Sequence, residues 1–217
     1  MFAEIEFWED GESRPPPDQM AVDEALFTLA TRPILRTYRW DAPAVSFGYG
    51  QRLGDIREWA PGLPSVRRWT GGGLVFHDRD LTLALAIPAG LGFENKSSLV
   101  IYEEIHRSIV AAMELVTHGI RLAGAADCRP GPQCFNSPAA GDVLAAGEKL
   151  CGGALRRTKA GLIYQGSIQC NILPAPADVA RAMAATVKPC QSTQKFTQLA
   201  EQLSREKYST PAWSELR

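Results

Sequence analysis

The chain contains only three histidines and five cysteines in 217 residues, and neither set is arranged for metal. His77, His106 and His118 are scattered, and none stands at a ligand spacing from a cysteine. Cys128, Cys134, Cys151, Cys170 and Cys190 are odd in number and form no Cys-x-x-Cys pair, which argues against a disulfide framework. An excess of one charge is also missing. The 23 Lys and Arg nearly balance the 24 Asp and Glu, leaving a net charge of −1 and no electrostatic footprint for nucleic acid. No apolar run approaches a membrane span, and the N-terminus carries acids rather than a basic targeting segment. There are no internal repeats and no low-complexity tract. These absences leave a soluble, cytoplasmic protein as the expectation.

What is present is an ordinary globular composition, 45% hydrophobic, ample for the core of one large domain. Ala3 to Trp8 alternates as a strand. Asp18 can cap a helix whose core face is Val22, Ala25, Leu26 and Leu29, ended by Pro33. Strands are expected at Leu35 to Trp40, Ala44 to Phe47, Leu74 to Phe76 and Leu81 to Ile87, with a short helix at Asp55 to Trp59. The longest helix starts at Ser97 or Ser98, buries Ile101, Ile105, Ile109, Ala112 and Val116, and stops at Gly119. Ala123 to Pro138 is irregular. Strands follow at Asp142 to Ala146, Lys149 to Arg157 and Leu162 to Cys170, then short helices at Ala177 to Ala184 and Thr197 to Arg205. Runs of antiparallel-style strands with interspersed helices indicate an α+β class.

One string stands out, Arg67-Arg68-Trp69-Thr70-Gly71-Gly72-Gly73-Leu74-Val75-Phe76-His77-Asp78. Glycines tolerate φ > 0 and let a ligand approach bare backbone, and arginines suit an anionic or strongly polar group. A glycine triplet alone also fits a tight turn between strands. His77 fits either a pocket or a satisfied turn histidine; His106 and His118 belong to a helix and read as structural.

The whole string resembles the signature of the biotin/lipoate protein ligase and acyltransferase family, whose members hold a medium-chain acyl group in this loop. The resemblance extends from the Met20-Ala21-Val22-Asp23-Glu24-Ala25-Leu26 helix to about Leu173. Leu35-Arg36-Thr37-Tyr38-Arg39-Trp40 with Pro43-Ala44-Val45-Ser46-Phe47-Gly48-Tyr49 is similar to the block that walls the acyl pocket. Lys149-Leu150-Cys151-Gly152-Gly153-Ala154 is similar to the block carrying the family's key lysine, and Gln165-Gly166-Ser167-Ile168 to the block that closes the pocket. The resemblance implies a large mixed or antiparallel sheet flanked by helices. It further implies one catalytic domain over residues 1–217, with a short helical C-terminal tail from about 174 and no separate accessory domain.

Cys134 lies in Pro132-Gln133-Cys134-Phe135-Asn136-Ser137-Pro138, a polar loop bounded by prolines. An arbitrary cysteine there is a thiol tucked under a loop, and Lys149 alone is a solvated strand-end lysine. Together, the Cys-Phe-x-x-Pro string and the spacing to Lys149 resemble the octanoyltransferases of the Bacillus type. The resemblance implies a Cys134 acyl-thioester nucleophile, with Lys149 lowering its pKa and holding the acyl carbonyl. Arg68, Thr70, Gly71, Gly72, Gly73, His77, Ala154, Gln165 and Gly166 would shape the acyl site. Backbone N–H groups near Gly152 and Gly153 would stabilise the oxyanion. An extended segment is expected to turn Cys151 away from Lys149.

The implied donor is octanoyl-acyl carrier protein, and the acceptors are lipoyl domains, of the glycine cleavage H protein or E2 subunits. No metal, nucleotide, nucleic acid or membrane is required. Arg156, Arg157 and Lys159 are either a docking patch for acidic partners or a solvated hairpin tip. The alternatives are an ATP-dependent lipoate ligase, needing ATP and Mg, an octanoyl amidotransferase between lipoyl domains, and a non-catalytic acyl- or biotin-binding domain. The Gly-Gly-Gly triplet matches ligases where Bacillus-type octanoyltransferases often show Gly-Gly-Arg. Trp69 stands where ligases often carry a further arginine.

Overall fold

A computed structural model describes residues 1–129, 135 and 137–216. In chain order its elements are β1 (Phe2–Asp10), α1 (Pro16–Leu29), β2 (Ile34–Tyr38), β3 (Ala44–Phe47), α2 (Leu53–Trp59), β4 (Ser65–Arg67), β5 (Val75–His77) and β6 (Leu81–Pro88). They continue as α3 (Ser98–Met113), β7 (Ile120–Leu122), β8 (Val143–Ala145), β9 (Glu148–Thr158), β10 (Gly161–Ile168), α4 (Pro176–Met183), β11 (Ala184–Pro189), α5 (Thr193–Leu203) and α6 (Pro211–Ser214). Eight strands form one mixed sheet in the order β11-β1-β2-β6-β10-β9-β8-β7, and β4-β3-β5 form a second, smaller sheet. In the large sheet β1 runs parallel to β2 and β11, and the remaining pairs are antiparallel. The α+β expectation holds. No helix among the described residues is long and apolar enough to cross a membrane.

The two faces of the large sheet divide by residue size. On β6, Leu81, Leu83, Leu85 and Ile87 join one core with Ile101, Ile105 and Ile109 of α3 and Val179 and Met183 of α4. Thr82, Ala84 and Ala86 alternate to the opposite face, which α1 covers. Period two thus sends the bulky residues under α3 and the small ones towards α1, leaving room on that second face.

Several local expectations are corrected. Asp18 is not the cap of α1. The helix starts at Pro16, because prolines tolerate a first turn whose N–H groups are unpaired anyway, and Asp18 falls inside that turn. Leu29 is 42% exposed rather than core. In α3, Ser97 caps Val100 N at 3.2 Å as its position suggests, but the helix ends at Met113. Gly119, at φ +73°, instead turns the chain into β7. The C-terminal segment is also more than helices, since β11 forms the sheet edge beside β1. β11 is mostly exposed and carries Lys188 and Pro189, so it lacks the alternation by which a strand is recognised.

His106 is wholly buried in α3, between the Gly141 carbonyl at 2.7 Å and the Tyr164 hydroxyl at 2.8 Å. The carbonyl requires Nδ1–H, so Nε2 accepts from Tyr164 and the ring is neutral. Burial pushes its pKa from 6.5 down to about 4, outweighing Asp142 and the Gly141 carbonyl. A depressed histidine contributes fully above its unfolded value and loses that contribution as pH falls towards the folded one. Chemical denaturation should therefore show about 2 kcal/mol of stability lost between pH 7.5 and 5 in excess of a His106→Gln variant. Parallel curves for the two proteins would remove this role.

Candidate functional site

Lys149 owes its position to an irregularity in β9. Leu144 of β8 pairs with Lys149, and the next residue back, Val143, pairs with Cys151, so Leu150 is the extra residue of a β-bulge. Plain alternation would place Lys149 and Cys151 on one face, contrary to the reading that an extended segment separates them. The bulge is what does so. Cys151 enters the core beneath α3, while the Lys149 side chain lies over Gly152, where a Cβ would overlap it.

The ammonium is almost fully enclosed. Its Nζ is 2.7 Å from Asp142 Oδ2, with the two side chains 2% and 0% exposed, and it sits 5.4 Å from the Phe135 ring centroid. Asp142 is held in turn by the Tyr102 hydroxyl at 2.5 Å and by Ala139 N at 2.7 Å. Burial, reinforced by Asp142, pushes the Tyr102 phenol well above its ordinary range, so it remains a donor. The same hydroxyl accepts from Gly153 N at 2.8 Å. That N–H is therefore spent, and the oxyanion role expected of Gly153 is corrected.

Beside Gly152 opens a cavity of about 380 Å³, its open mouth included. Arg68, Gly72, His77, Gly152, Gly153, Ala154, Gln165 and Gly166, all expected site residues, line it. Met20, Tyr38, Trp40, Ser46, Val75, Thr82 and Ser167 complete the wall. Thr70 stands behind the lining, fully buried, its hydroxyl donating to Gln165 Oε1 at 2.8 Å. Gln165 Nε2 then donates to Asp23 Oδ2 at 2.6 Å, which also accepts from Tyr38 at 3.1 Å.

The glycine loop is pinned rather than poised for an anion. A Cβ on Gly48 would overlap the Gly72 carbonyl, and Gly72 has φ +85°. Arg68 donates to Ser46 O at 2.8 Å, to Gly71 O at 2.9 Å and to Gly73 O at 2.7 Å. Gly71 and Gly73 thus serve as acceptors for Arg68 behind the cavity wall. Arg67 donates to the carbonyls of Tyr49, Gln51, Trp213, Ser214 and Leu216 at 2.6–3.0 Å. Arg68 also donates to Ser46 Oγ at 2.8 Å, so the expectation that these arginines await an anionic group is corrected: the protons named here bind backbone carbonyls and the Ser46 hydroxyl.

His77 is a pocket residue. Nδ1 is 2.8 Å from Asp80 Oδ2, Nε2 is 2.7 Å from Ser46 Oγ, and the ring stacks on Trp40 at 4.1 Å and 17°. Asp80 Oδ2 also takes the hydroxyls of Ser167 at 2.6 Å and Thr82 at 2.9 Å. Burial raises the Asp80 carboxyl, but the His77, Ser167 and Thr82 bonds prevail and lower its pKa.

Arg156 donates to Trp69 O at 3.0 Å and stacks on Trp69 and Tyr49, while Arg157 donates to the carbonyls of Phe93, Glu94 and Lys96. Cys134 lies outside the described residues. Cys170 is half-buried, and burial pushes the Cys190 thiol up to about 11. Asp80, Asp142 and Tyr102 had no assigned part in the sequence reading. Carboxylates beside a pocket histidine and before the lysine strand were the available signal.

Residues 15–212 match the family described as lipoyl protein ligase A/B catalytic domain. Octanoyltransferase LipM of Symbiobacterium thermophilum is 33% identical over 94% of this chain and 79% of its own length. Octanoyltransferase LipM of Kyrpidia tusciae is 34% identical over 71% of this chain and 62% of its own length. Among solved structures, a lipoate-protein ligase A bound with ATP superposes with TM-score 0.76 at 20% identity, covering 98% of each chain. A bipartite lipoate protein ligase from Thermoplasma acidophilum gives TM-score 0.72 at 21% identity, over 100% of this chain and 98% of the other.

Removing one member of a buried ion pair strands the other charge. Asp142→Asn should therefore cost about 3–5 kcal/mol of unfolding free energy, and adding Lys149→Met should recover most of it. Urea denaturation of the two single variants and the double variant measures both. A cost below about 1 kcal/mol for Asp142→Asn would mean that the pair is solvated.

Proposed function

This chain belongs to the lipoyl protein ligase A/B catalytic domain family, and from that premise we propose that it is a protein octanoyltransferase of lipoate assembly. The observation that carries the reading is the ammonium of Lys149, fixed over Gly152 at the edge of a mostly apolar slot. A slot of this kind takes an acyl chain, and a cation at its rim suits both a thiolate and a polarised carbonyl. The names of the relatives at 33% and 34% identity support the same reading.

In the proposed reaction the Cys134 thiolate attacks the carbonyl of octanoyl-acyl carrier protein. The carrier thiolate leaves and takes up a proton, and the octanoyl group is held as a thioester on the enzyme. The neutral amine of a lipoyl-domain lysine then attacks, the Cys134 thiolate leaves, and the amine proton passes to solvent as the amide forms. A thiol of pKa about 8.5 is mostly protonated at neutral pH, so a neighbouring ammonium raises its reactive fraction. Exchange between thioesters is nearly isoenergetic, and the final amide draws the sequence forward. The proposal needs no metal or nucleotide and assigns the reaction to the cytoplasm.

The ligase alternative would need cationic donors for a triphosphate, whereas Arg67 donates to backbone carbonyls and Arg68 to backbone carbonyls and the Ser46 hydroxyl. That favours a thioester donor. Octanoyl-acyl carrier protein should leave an octanoyl adduct on wild-type enzyme by intact mass, and Cys134→Ala should leave none. An undiminished adduct in the variant would falsify the cysteine route. Parallel reactions with an octanoylated lipoyl domain, and with octanoate plus ATP, identify an amidotransferase or a pyrophosphate-releasing ligase instead.

A further inference from the structure

The cavity runs across the strands, and its length is set by the sheet. Gly152 of β9 pairs with Ser167 of β10, Ser167 with Thr82 of β6, and Thr82 with Tyr38 of β2. All four line the cavity, so its floor is a single cross-strand row beginning beside Lys149. Neighbouring strands are roughly 4.8 Å apart, which puts Thr82 about 10 Å from Gly152. An extended eight-carbon chain is roughly 9 Å long, from carbon–carbon bonds of about 1.5 Å at tetrahedral angles. A chain whose carbonyl lies at Lys149 therefore reaches Thr82 at its eighth carbon.

At that point stands a wall. Trp40 Nε1 donates to Thr82 Oγ1 at 2.8 Å, and the indole stacks on His77, which is itself fixed between Asp80 and Ser46. The Thr82 hydroxyl donates in turn to Asp80 Oδ2 at 2.9 Å. Pushing Trp40 aside would leave the indole N–H without its acceptor in a buried site. That cost exceeds what one added methylene gains by burial. We infer that Trp40, braced by Thr82 and His77, is the specificity-determining residue that limits the acyl chain to about eight carbons.

The orientation of the chain rests on the proposed function, with the acyl carbonyl at Lys149. Binding of free fatty acids tests the wall without requiring turnover. Titration calorimetry with hexanoate, octanoate, decanoate and dodecanoate on the full chain should show affinity rising to octanoate and falling at least about tenfold at decanoate. Trp40→Leu should raise the decanoate-to-octanoate affinity ratio by about tenfold or more, and the milder Trp40→Phe should give a smaller change in the same direction. Melting curves establish that each variant is folded, and Trp40→Phe stands in if Trp40→Leu is not.

An unchanged ratio in a folded variant overturns the ruler, as does a wild type that binds decanoate as well as octanoate or binds no acid at all. Acyl transfer from carrier proteins, run separately, bears on the function alone. Normal octanoyl transfer with no length shift in the variants would retain the transferase and discard the wall. A length shift without transfer would do the reverse.

Discussion

The structure depends on a gap in the middle of its large sheet, where Gly152, Gly153 and Gly166 leave out three Cβ atoms on adjacent strands. The space is used on both faces. A Cβ on Gly153 or Gly166 would overlap the Tyr164 ring, which lies in the core beneath α3. A Cβ on Gly152 would overlap Lys149 on the other face. Tyr164 is held by His106, and Lys149 by Asp142. One stretch of bare backbone therefore lets an aromatic core and a buried ammonium come within a strand's thickness of each other. Any side chain there would force one of them out.

Buried charge is managed so that the slot itself stays apolar. Arg36 pairs with Asp23 at 2.6 Å and with Asp10 at 2.7 Å, all nearly unexposed. Asp23 in turn occupies Tyr38 and Gln165, and Asp80 occupies His77, Ser167 and Thr82. Two carboxylates thus draw the polar protons of the cavity wall away from its interior. Such networks add little net stability, because desolvation offsets attraction, but they hold each rotamer in place. Arg67 extends the bracing outward by tying residues 213–216 to the loop at Tyr49 and Gln51.

Much of this was legible in the sequence. The strand at Ala44 to Phe47 and the Ser97 cap follow directly from local pattern, and the motif blocks selected eight residues that line the cavity. What was illegible depends on partners remote in the chain. Arg67 reads as a ligand donor because nothing local shows that carbonyls as distant as Leu216 consume its protons. β11 has no apolar alternation because it lies at an edge. The bulge at Leu150 arises from pairing with β8, and no composition of β9 alone reveals it.

The reactive end of the site falls where strand pairing stops. β8 accompanies β9 only as far as Val143 opposite Cys151, so the next backbone on that side has no strand partner among the described residues. Tyr102 takes the Gly153 N–H that a longer β8 would have satisfied, and the same hydroxyl fixes Asp142. A continuous strand there would have closed the edge beside Gly152 and left Lys149 no route over it. Ending the ladder early therefore opens the sheet to a charged group while the Gly153 N–H and the Tyr102 hydroxyl each keep a partner. The regular part of the sheet supplies a floor with fixed spacing, suited to measuring a cargo. Its interrupted edge supplies the cation, suited to acting on one end of it.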